Sequence, residues 1–311
     1  MTTANPIRIS NSEIQTFKDC RRRWWLTYYR RLKPKVQDFT GALALGSRIH
    51  EALDRHYSTG QDLVEAHADL VAEDLKKLTD SYRDTSKLET EAELGRIMLE
   101  GYLEWVEHEG IDAELEMIST EEILERPMMD GKVVLQGKID MRVRRKIDGA
   151  RMIRDFKTVG GSFADFSSMA HMNEQVKTYM LLDEAQESED GTRTDGAIFT
   201  MLRKVKRGAY AKPPFYDQVE VRHNRFTLRA FLEQLEGTLE DMLRVRDALD
   251  EGGSHFKHVY PTPTKDCKWK CQFFATCPLF DDGSAAEAAL SDAFAVSDPY
   301  GYYNNETKGN E

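Results

Sequence analysis

Three features of this chain predict an α+β (α/β) fold, a mixed β-sheet with helices on its faces. Apolar residues recur at helical spacing early in the chain, as at Leu45, Ile49 and Leu53 and again at Leu63, Leu70, Leu75 and Leu78. The spacing switches to period two over 132–145 (KVVLQGKIDMRVRR). Helical spacing then returns in a long stretch over 225–250. Helices, then strands, then helices bury their apolar faces best as a sheet covered by helices.

Residues 10–30 read as a helix opened by Ser10 or Asn11, with Glu13 in its first turn. Residues 41–58, 61–80 and 87–109 continue the helical pattern. The stretch about 60–115 is therefore a helical subdomain, and an acidic one: residues 61–126 carry 20 Asp and Glu against 6 Lys and Arg. In 132–145, Val133, Leu135, Ile139, Met141 and Val143 point one way, and Gln136, Lys138, Asp140, Arg142 and Arg144 the other. Asp148-Gly149 signals a turn, and 151–157 (RMIRDFK) is the return strand. Residues 173–187 read as a helix, and 196–202 and 216–222 as strands. From Ser284 onward the chain is small, polar and without a core pattern. That predicts one domain over 1–283 and a disordered tail over 284–311.

Composition narrows the class. The chain has 311 residues, 40% of them apolar and 31% charged. That excludes collagenous and largely disordered chains. No stretch approaches the roughly 18–20 apolar residues that cross a bilayer. MTTANPIRIS has no apolar core behind a basic start, so the expected compartment is the cytosol, where disulfides do not persist. A net charge of −11 argues against indiscriminate nucleic-acid binding. Basic residues nevertheless gather in three islands, 18–35, 138–157 and 203–212.

The second island carries chemistry. A two-residue loop at Asp148-Gly149 would set Asp140 opposite Lys157 and Arg142 opposite Asp155. Asp140, Asp155 and Lys157 then share one face, with the two acids diagonal and their α-carbons about 7–8 Å apart. Two carboxylates converging from adjacent strands suit a hard divalent cation such as Mg²⁺ or Mn²⁺. Lys157 projects into the same space, where it orients water and steadies charge on a phosphate. Taken alone, the same alternation also describes a surface hairpin of cross-strand ion pairs.

The surrounding motifs favour the first reading. Gly46 and His50 lie in LGSRIHEAL, Gly137 and Asp140 in GKID, Asp155 and Lys157 in RDFKT, and Gln175 and Tyr179 in NEQVKTYML. This ordered set resembles the PD-(D/E)XK nuclease superfamily in its RecB-like exonuclease branch. The resemblance implies a restriction-endonuclease-like core with a central mixed sheet flanked by helices and a helical N-terminal insertion. It implies that His50, Asp140 and Asp155 hold metal, with the backbone carbonyl of Phe156, and that Lys157 is the catalytic lysine. Gln175 and Tyr179 would complete the catalytic site and touch the nucleic-acid strand.

Cys20 stands alone near the start, and Cys267, Cys271 and Cys277 cluster near the end. Four thiols in a reducing compartment suggest one tetrathiolate site, for Zn²⁺ or an iron–sulfur cluster. The one-plus-three split resembles the iron–sulfur members of the same superfamily, including the CRISPR-associated exonuclease family and the AddB nuclease domain. That resemblance implies a 4Fe-4S cluster clamping the first helix to the C-terminal segment, with zinc as the alternative. The trio here is C-x3-C-x5-C, one residue wider in its first gap than the common spacing.

RRRWWLTYYRR, over 21–31, interleaves arginines with aromatics. Arginines suit phosphates and aromatics stack on bases, although Trp24, Trp25, Tyr28 and Tyr29 also fit a buried helix face. Arg21, Arg22, Arg142 and Arg144 are the candidate nucleic-acid contacts, with Gln175 and Tyr179. The function expected is a Mg²⁺- or Mn²⁺-dependent DNA exonuclease acting on single strands or ends in recombination, repair or replication, in a cellular or viral setting. Its partners would be DNA and a helicase or other recombination protein, and no membrane. Two alternatives stand beside it: a non-catalytic nuclease-like module that binds DNA and a helicase, and an end-trimming nuclease of a CRISPR adaptation complex.

Overall fold

The structure is a computed structural model that describes residues 6–186, 193–208 and 210–304. In chain order the elements are β1 (Ile7–Ser10), α1 (Asn11–Asp19), α2 (Arg21–Trp24) running into a π-helical turn at Trp25–Tyr29, and β2 (Leu32–Pro34). Helices α3 (Ala42–Thr59), α4 (Leu63–Asp80) and α5 (Ser86–Glu109) follow. Then come β3 (Leu115–Met128), β4 (Val133–Arg145), β5 (Arg151–Val159), α6 (Phe163–Ala170), α7 (Glu174–Glu184), β6 (Thr194–Arg203) and β7 (Tyr216–Arg222). The chain ends in α8 (Arg225–Asp250), α9 (His255–His258), α10 (Cys267–Lys270), α11 (Ala286–Ala293), β8 (Phe294–Val296) and α12 (Gly301–Asn304). No helix among the described residues is long and apolar enough to cross a membrane.

The sequence predicts one domain, and the chain divides into two compact units. The first comprises 1–37, 125–136 and 229–311, the second 38–124 and 137–228. In the second, β4 and β5 run antiparallel, β5 and β6 parallel, and β6 and β7 antiparallel, while β3 pairs with β4. The result is the expected mixed sheet, with helices flanking it. Helices α3 to α5 cover it through Leu45, Ile49, Leu53, Leu99 and Tyr102, which pack against Met141, Val143, Met152 and Phe156. The subdomain is thus helical because its apolar stripes have a sheet to cover. Gly60 and Gly110 end α3 and α5 in the left-handed conformation, at φ 76° and 67°, where a Cβ would be strained.

In the first unit, β1 pairs in parallel with the start of β4, Ile7 against Val133. Ser10 caps α1, its side chain accepting from the Glu13 amide. The predicted helix over 10–30 is broken: Cys20 is extended, at φ −159° and ψ 110°, before helical structure resumes at Arg21. Glu13 is fully buried and accepts from Trp24 Nε1 at 2.8 Å and Arg246 Nη2 at 2.9 Å, with the Tyr300 hydroxyl on its other oxygen. A buried carboxylate held by three donors avoids most of the penalty of desolvation.

The expected disorder from 284 is corrected for residues up to 304. Helix α11 forms there, and β8 pairs with β2, Phe294 against Pro34. Leu290 and Phe294 are buried, and Phe273 stacks on Phe294 at 4.7 Å, so two apolar side chains anchor this polar segment. Residues 305–311 lie outside the described residues.

Candidate active site

β4 and β5 pair in a different register from the one predicted. Met141 pairs with Arg154 and Arg142 with Ile153. Continuing that register one step sets Asp140 against Asp155 directly, not Asp140 against Lys157. Directly opposed α-carbons in an antiparallel pair lie about 4.5–5.5 Å apart. The correction comes from the turn. Arg145 N donates to Ala150 O at 2.9 Å, so the loop closes over 146–149 and not over two residues. The slip is two residues, an even number, so Asp140, Asp155 and Lys157 keep their shared face.

Each partner arrives for a local reason. His50 lies mid-way along α3, one turn after Gly46. A Cβ on Gly46 would sit 3.2 Å from Thr158 Oγ1, so the glycine lets α3 approach the end of β5. Gln175 lies in the first turn of α7, whose cap is the Asn173 side chain, accepting from the Gln175 amide at 2.8 Å. Gly137 admits α7: a Cβ there would lie 2.7 Å from Leu182 Cδ1 and 2.9 Å from Tyr179 Cε1.

The contacts form two strings. His50 Nδ1 lies 3.3 Å from Asp140 Oδ2, which also accepts from the Phe156 amide at 3.0 Å. Lys157 Nζ lies 2.6 Å from Asp155 Oδ2 and donates to Gln175 Oε1 at 3.0 Å, and Gln175 Nε2 donates to the Tyr179 hydroxyl at 2.8 Å. Asp155 is 1% exposed. Beyond this ion pair with Lys157, neither Asp155 oxygen has a hydrogen-bond partner among the described residues. That is an expensive way to leave a buried carboxylate.

Electrostatics separate the two acids. Burial and the charge of Asp140 raise the Asp155 pKa, and Lys157 and His50 only partly offset them. Burial also acts on Asp140, but the His50 hydrogen bond and charge, Lys157 and the Phe156 amide outweigh it and hold Asp140 low. Burial would lower His50 and Lys157, yet the neighbouring carboxylates raise both.

Two further acids border the site. Asp54, four residues after His50 on α3, and Glu121 of β3 line a cavity of about 10 Å³ with His50, Asp140 and Phe156. Burial, with Asp140 and Asp54, pushes Glu121 up to about 7 against the pull of its ion pair with Lys138. The i,i+4 spacing of His50 and Asp54 was a sequence signal for the first. Nothing in the acid-rich run around Glu121 marked the second.

The expected metal set of His50, Asp140 and Asp155 is not assembled. Among the described residues no three His, Cys, Asp or Glu side chains stand as a metal ion needs. Their charges are instead matched pairwise, His50 to Asp140 and Lys157 to Asp155. The residues still fit a divalent ion by their chemistry: a buried carboxylate without hydrogen bonds faces a second carboxylate and an imidazole.

The predicted nucleic-acid contacts are largely occupied. Arg22 is 1% exposed and committed to Asp281, which corrects its expected role on a phosphate. Arg142 is held by Glu122 and Asp183, both at 2.7 Å, and Arg144 lies 3.8 Å from Glu116. Arg21 pairs with Asp241, its guanidinium over the rings of Phe17 and Tyr260. Tyr179 is 8% exposed, and its hydroxyl accepts from Gln175 Nε2. Trp24 and Trp25 are buried in the core of the first unit.

The four cysteines carry no disulfide and lie together in the first unit. Cys20, Cys267 and Cys271 line a cavity of about 230 Å³. Burial raises the Cys271 and Cys277 thiols, and each feels the charge of Cys20. The sulfurs meet donors: the Thr262 amide to Cys20 Sγ at 3.5 Å, the Thr264 amide to Cys267 Sγ at 3.3 Å, and Arg22 Nη1 4.0 Å from Cys277 Sγ.

A family model described as the PD-(D/E)XK nuclease superfamily matches residues 8–278. No curated protein matches the chain. Among solved structures, the chain is similar to a protein from Eubacterium rectale provisionally described as an exonuclease. The identity there is 12%, the TM-score 0.48, and 85% of this chain and 93% of that one are covered. It is also similar to the protein SSO0001, at 17% identity and TM-score 0.32, over 78% of this chain and 98% of that one.

Proposed function

We propose that this chain, which belongs to the PD-(D/E)XK nuclease superfamily, is a divalent-metal-dependent DNA exonuclease acting on single strands or DNA ends. The observation that carries the reading is Asp155: buried, paired with Lys157 and otherwise without a hydrogen-bond partner among the described residues, one step beyond the Met141–Arg154 pair that leads to Asp140. Nucleases of this superfamily usually use Mg²⁺ or Mn²⁺. In this reading Asp140, Asp155 and His50 hold the ion, joined by the carbonyl of Phe156. Held there, a divalent ion would polarise the phosphodiester and supply an activated water. Lys157 stays an ammonium, because its two acid neighbours raise its pKa. It therefore does not take a proton from water; it steadies negative charge on the attacked phosphate. Gln175 fixes Lys157 by accepting from Nζ, and Tyr179 fixes Gln175. The setting in this reading is the cytosol, in recombination, repair or replication, with a helicase as the natural partner.

The four cysteines in this reading hold a 4Fe-4S cluster. Four free cysteines in one unit, three of them lining a cavity of about 230 Å³, are the donor set such a cluster takes, with zinc as the alternative.

The test uses anaerobically purified full chain on end-labelled single- and double-stranded DNA with Mn²⁺, Mg²⁺ or EDTA. Metal-dependent degradation, lost in Asp155→Asn and in Lys157→Ala, is the expected result. Cleavage retained in both variants overturns the assignment. DNA binding without cleavage by the folded wild type would instead identify a non-catalytic binding module.

A further inference from the structure

We propose that Arg22 sets the reduction potential of the iron–sulfur cluster and keeps it in place; this rests on the cluster reading above. Arg22 follows Cys20 by two residues and is 1% exposed. Its guanidinium forks onto Asp281, Nη1 to Oδ2 at 2.7 Å and Nη2 to Oδ1 at 2.9 Å. The same Nη1 donates to the Cys277 carbonyl at 3.2 Å and stands 4.0 Å from Cys277 Sγ. One side chain thus ties the segment of the first cysteine to that of the last, with all partners inside one unit.

Arg22 differs in kind from the other donors to the cysteines. Cys20 and Cys267 meet backbone amides, of Thr262 and Thr264, and Cys267 also faces the Thr264 hydroxyl at 3.8 Å. At Cys277 a buried full charge approaches the sulfur, whereas the cation that acts on Cys271, Arg23, is 26% exposed. Asp281 offsets it only in part, because that carboxylate is 48% exposed and screened by water while the Arg22 side chain is 2% exposed. One-electron reduction of a [4Fe-4S]²⁺ centre to [4Fe-4S]⁺ adds one negative charge. A buried cation beside a ligating sulfur favours the more negative form and raises the potential. The fork onto Asp281 fixes where that cation sits.

The test is a dithionite titration of the anaerobically purified full chain, followed by absorbance and by electron paramagnetic resonance, with iron content and the rate of cluster loss to a chelator. The variants are Arg22→Gln, Arg22→Lys and Asp281→Asn. Arg22→Gln should shift the potential to more negative values and lose the cluster roughly tenfold faster or more. Arg22→Lys should keep a potential near wild type yet lose the cluster faster, since it keeps the charge and loses the fork. Asp281→Asn should shift the potential the opposite way, upward, and it decides the matter if Arg22→Gln does not fold. An unchanged potential in Arg22→Gln, or in Asp281→Asn where that variant decides, overturns the proposal. Wild type that folds with zinc or without iron overturns the cluster reading itself, and iron content separates that failure from the first.

Discussion

Gly137→Ala tests whether the motif glycine acts by letting α7 close on the sheet. The added Cβ would stand 2.7 Å from Leu182 Cδ1 and 2.9 Å from Tyr179 Cε1. The leucine methyl can swing away. The tyrosine ring cannot swing freely, because its hydroxyl accepts from Gln175 at 2.8 Å. Overpacking of this kind costs about 1–3 kcal/mol, and loss of glycine freedom in the unfolded chain returns about 0.4–1 kcal/mol. The net loss is about 0.5–2.5 kcal/mol, a few degrees in Tm for a chain this size. The functional loss should be larger. A ring displaced by a few tenths of an ångström moves Gln175, and Gln175 fixes Lys157 through a 3.0 Å bond. Misplacement of a positioned group costs up to about 10²-fold in rate. Denaturant melts with nuclease assays on the purified variant measure both, and Gly46→Ala is the control. There the added Cβ meets only Thr158 Oγ1, at 3.2 Å, and a smaller effect is expected. Wild-type stability and rate in Gly137→Ala would refute the reasoning.

His67 should make the helical layer acid-sensitive. It is 2% exposed, its Nε2 has no hydrogen-bond partner, and burial followed by the charge of Arg48 lowers its pKa to about 4. The unfolded chain therefore binds a proton from about pH 6.5 downward while the folded chain does not, so stability falls as pH falls. The loss attributable to this group is about 2 kcal/mol between about pH 7 and 5, read by denaturant melts, and His67→Leu should remove it. An equal acid slope in His67→Leu would show that other groups carry it. Gly196→Ala should prevent folding of the sheet edge, because its Cβ would lie 1.9 Å from the Val221 carbonyl oxygen of β7, and backbone in a ladder cannot yield. A destabilisation of at least about 3 kcal/mol or insoluble protein is expected, and a soluble variant with a wild-type melt would contradict the β6–β7 register.

The shared face of Asp140, Asp155 and Lys157 was legible because side-chain alternation survives an even slip, whereas the register was not. A two-residue turn and a four-residue loop both fit IDGA, and only the Arg145–Ala150 hydrogen bond chooses. The pairing of His50 with Asp140 joins residues 90 positions apart and was visible only through the family pattern. Strands β1, β2 and β8 have three or four residues each, too short for a period to declare itself. The break at Cys20 carries no glycine or proline to announce it. Arg22 reads as a phosphate ligand in RRRWW, and only its burial against Asp281 shows otherwise.

The opposite shifts of Asp140 and Asp155 bear on how the site would take a cation. Asp140 is stabilised as an anion by His50 and the Phe156 amide, so it is charged across the neutral range. Asp155, raised by burial and by Asp140, gives up its proton after Asp140 does. His50 is raised as well and holds a proton against Asp140. A divalent ion placed among them must displace protons from Asp155 and from His50, and must take Asp140 away from the imidazole. Affinity should therefore rise with pH through those two titrations, with protons released on binding. Calorimetry with Mn²⁺ in buffers of different ionisation enthalpy measures that release directly. Asp155→Asn should lose both the release and most of the binding, because the amide brings no charge. A Mn²⁺ affinity independent of pH across the mildly acidic to neutral range would mean that the ion sits elsewhere. The acids facing each other across β4 and β5 would then be held by Lys157 and His50 alone.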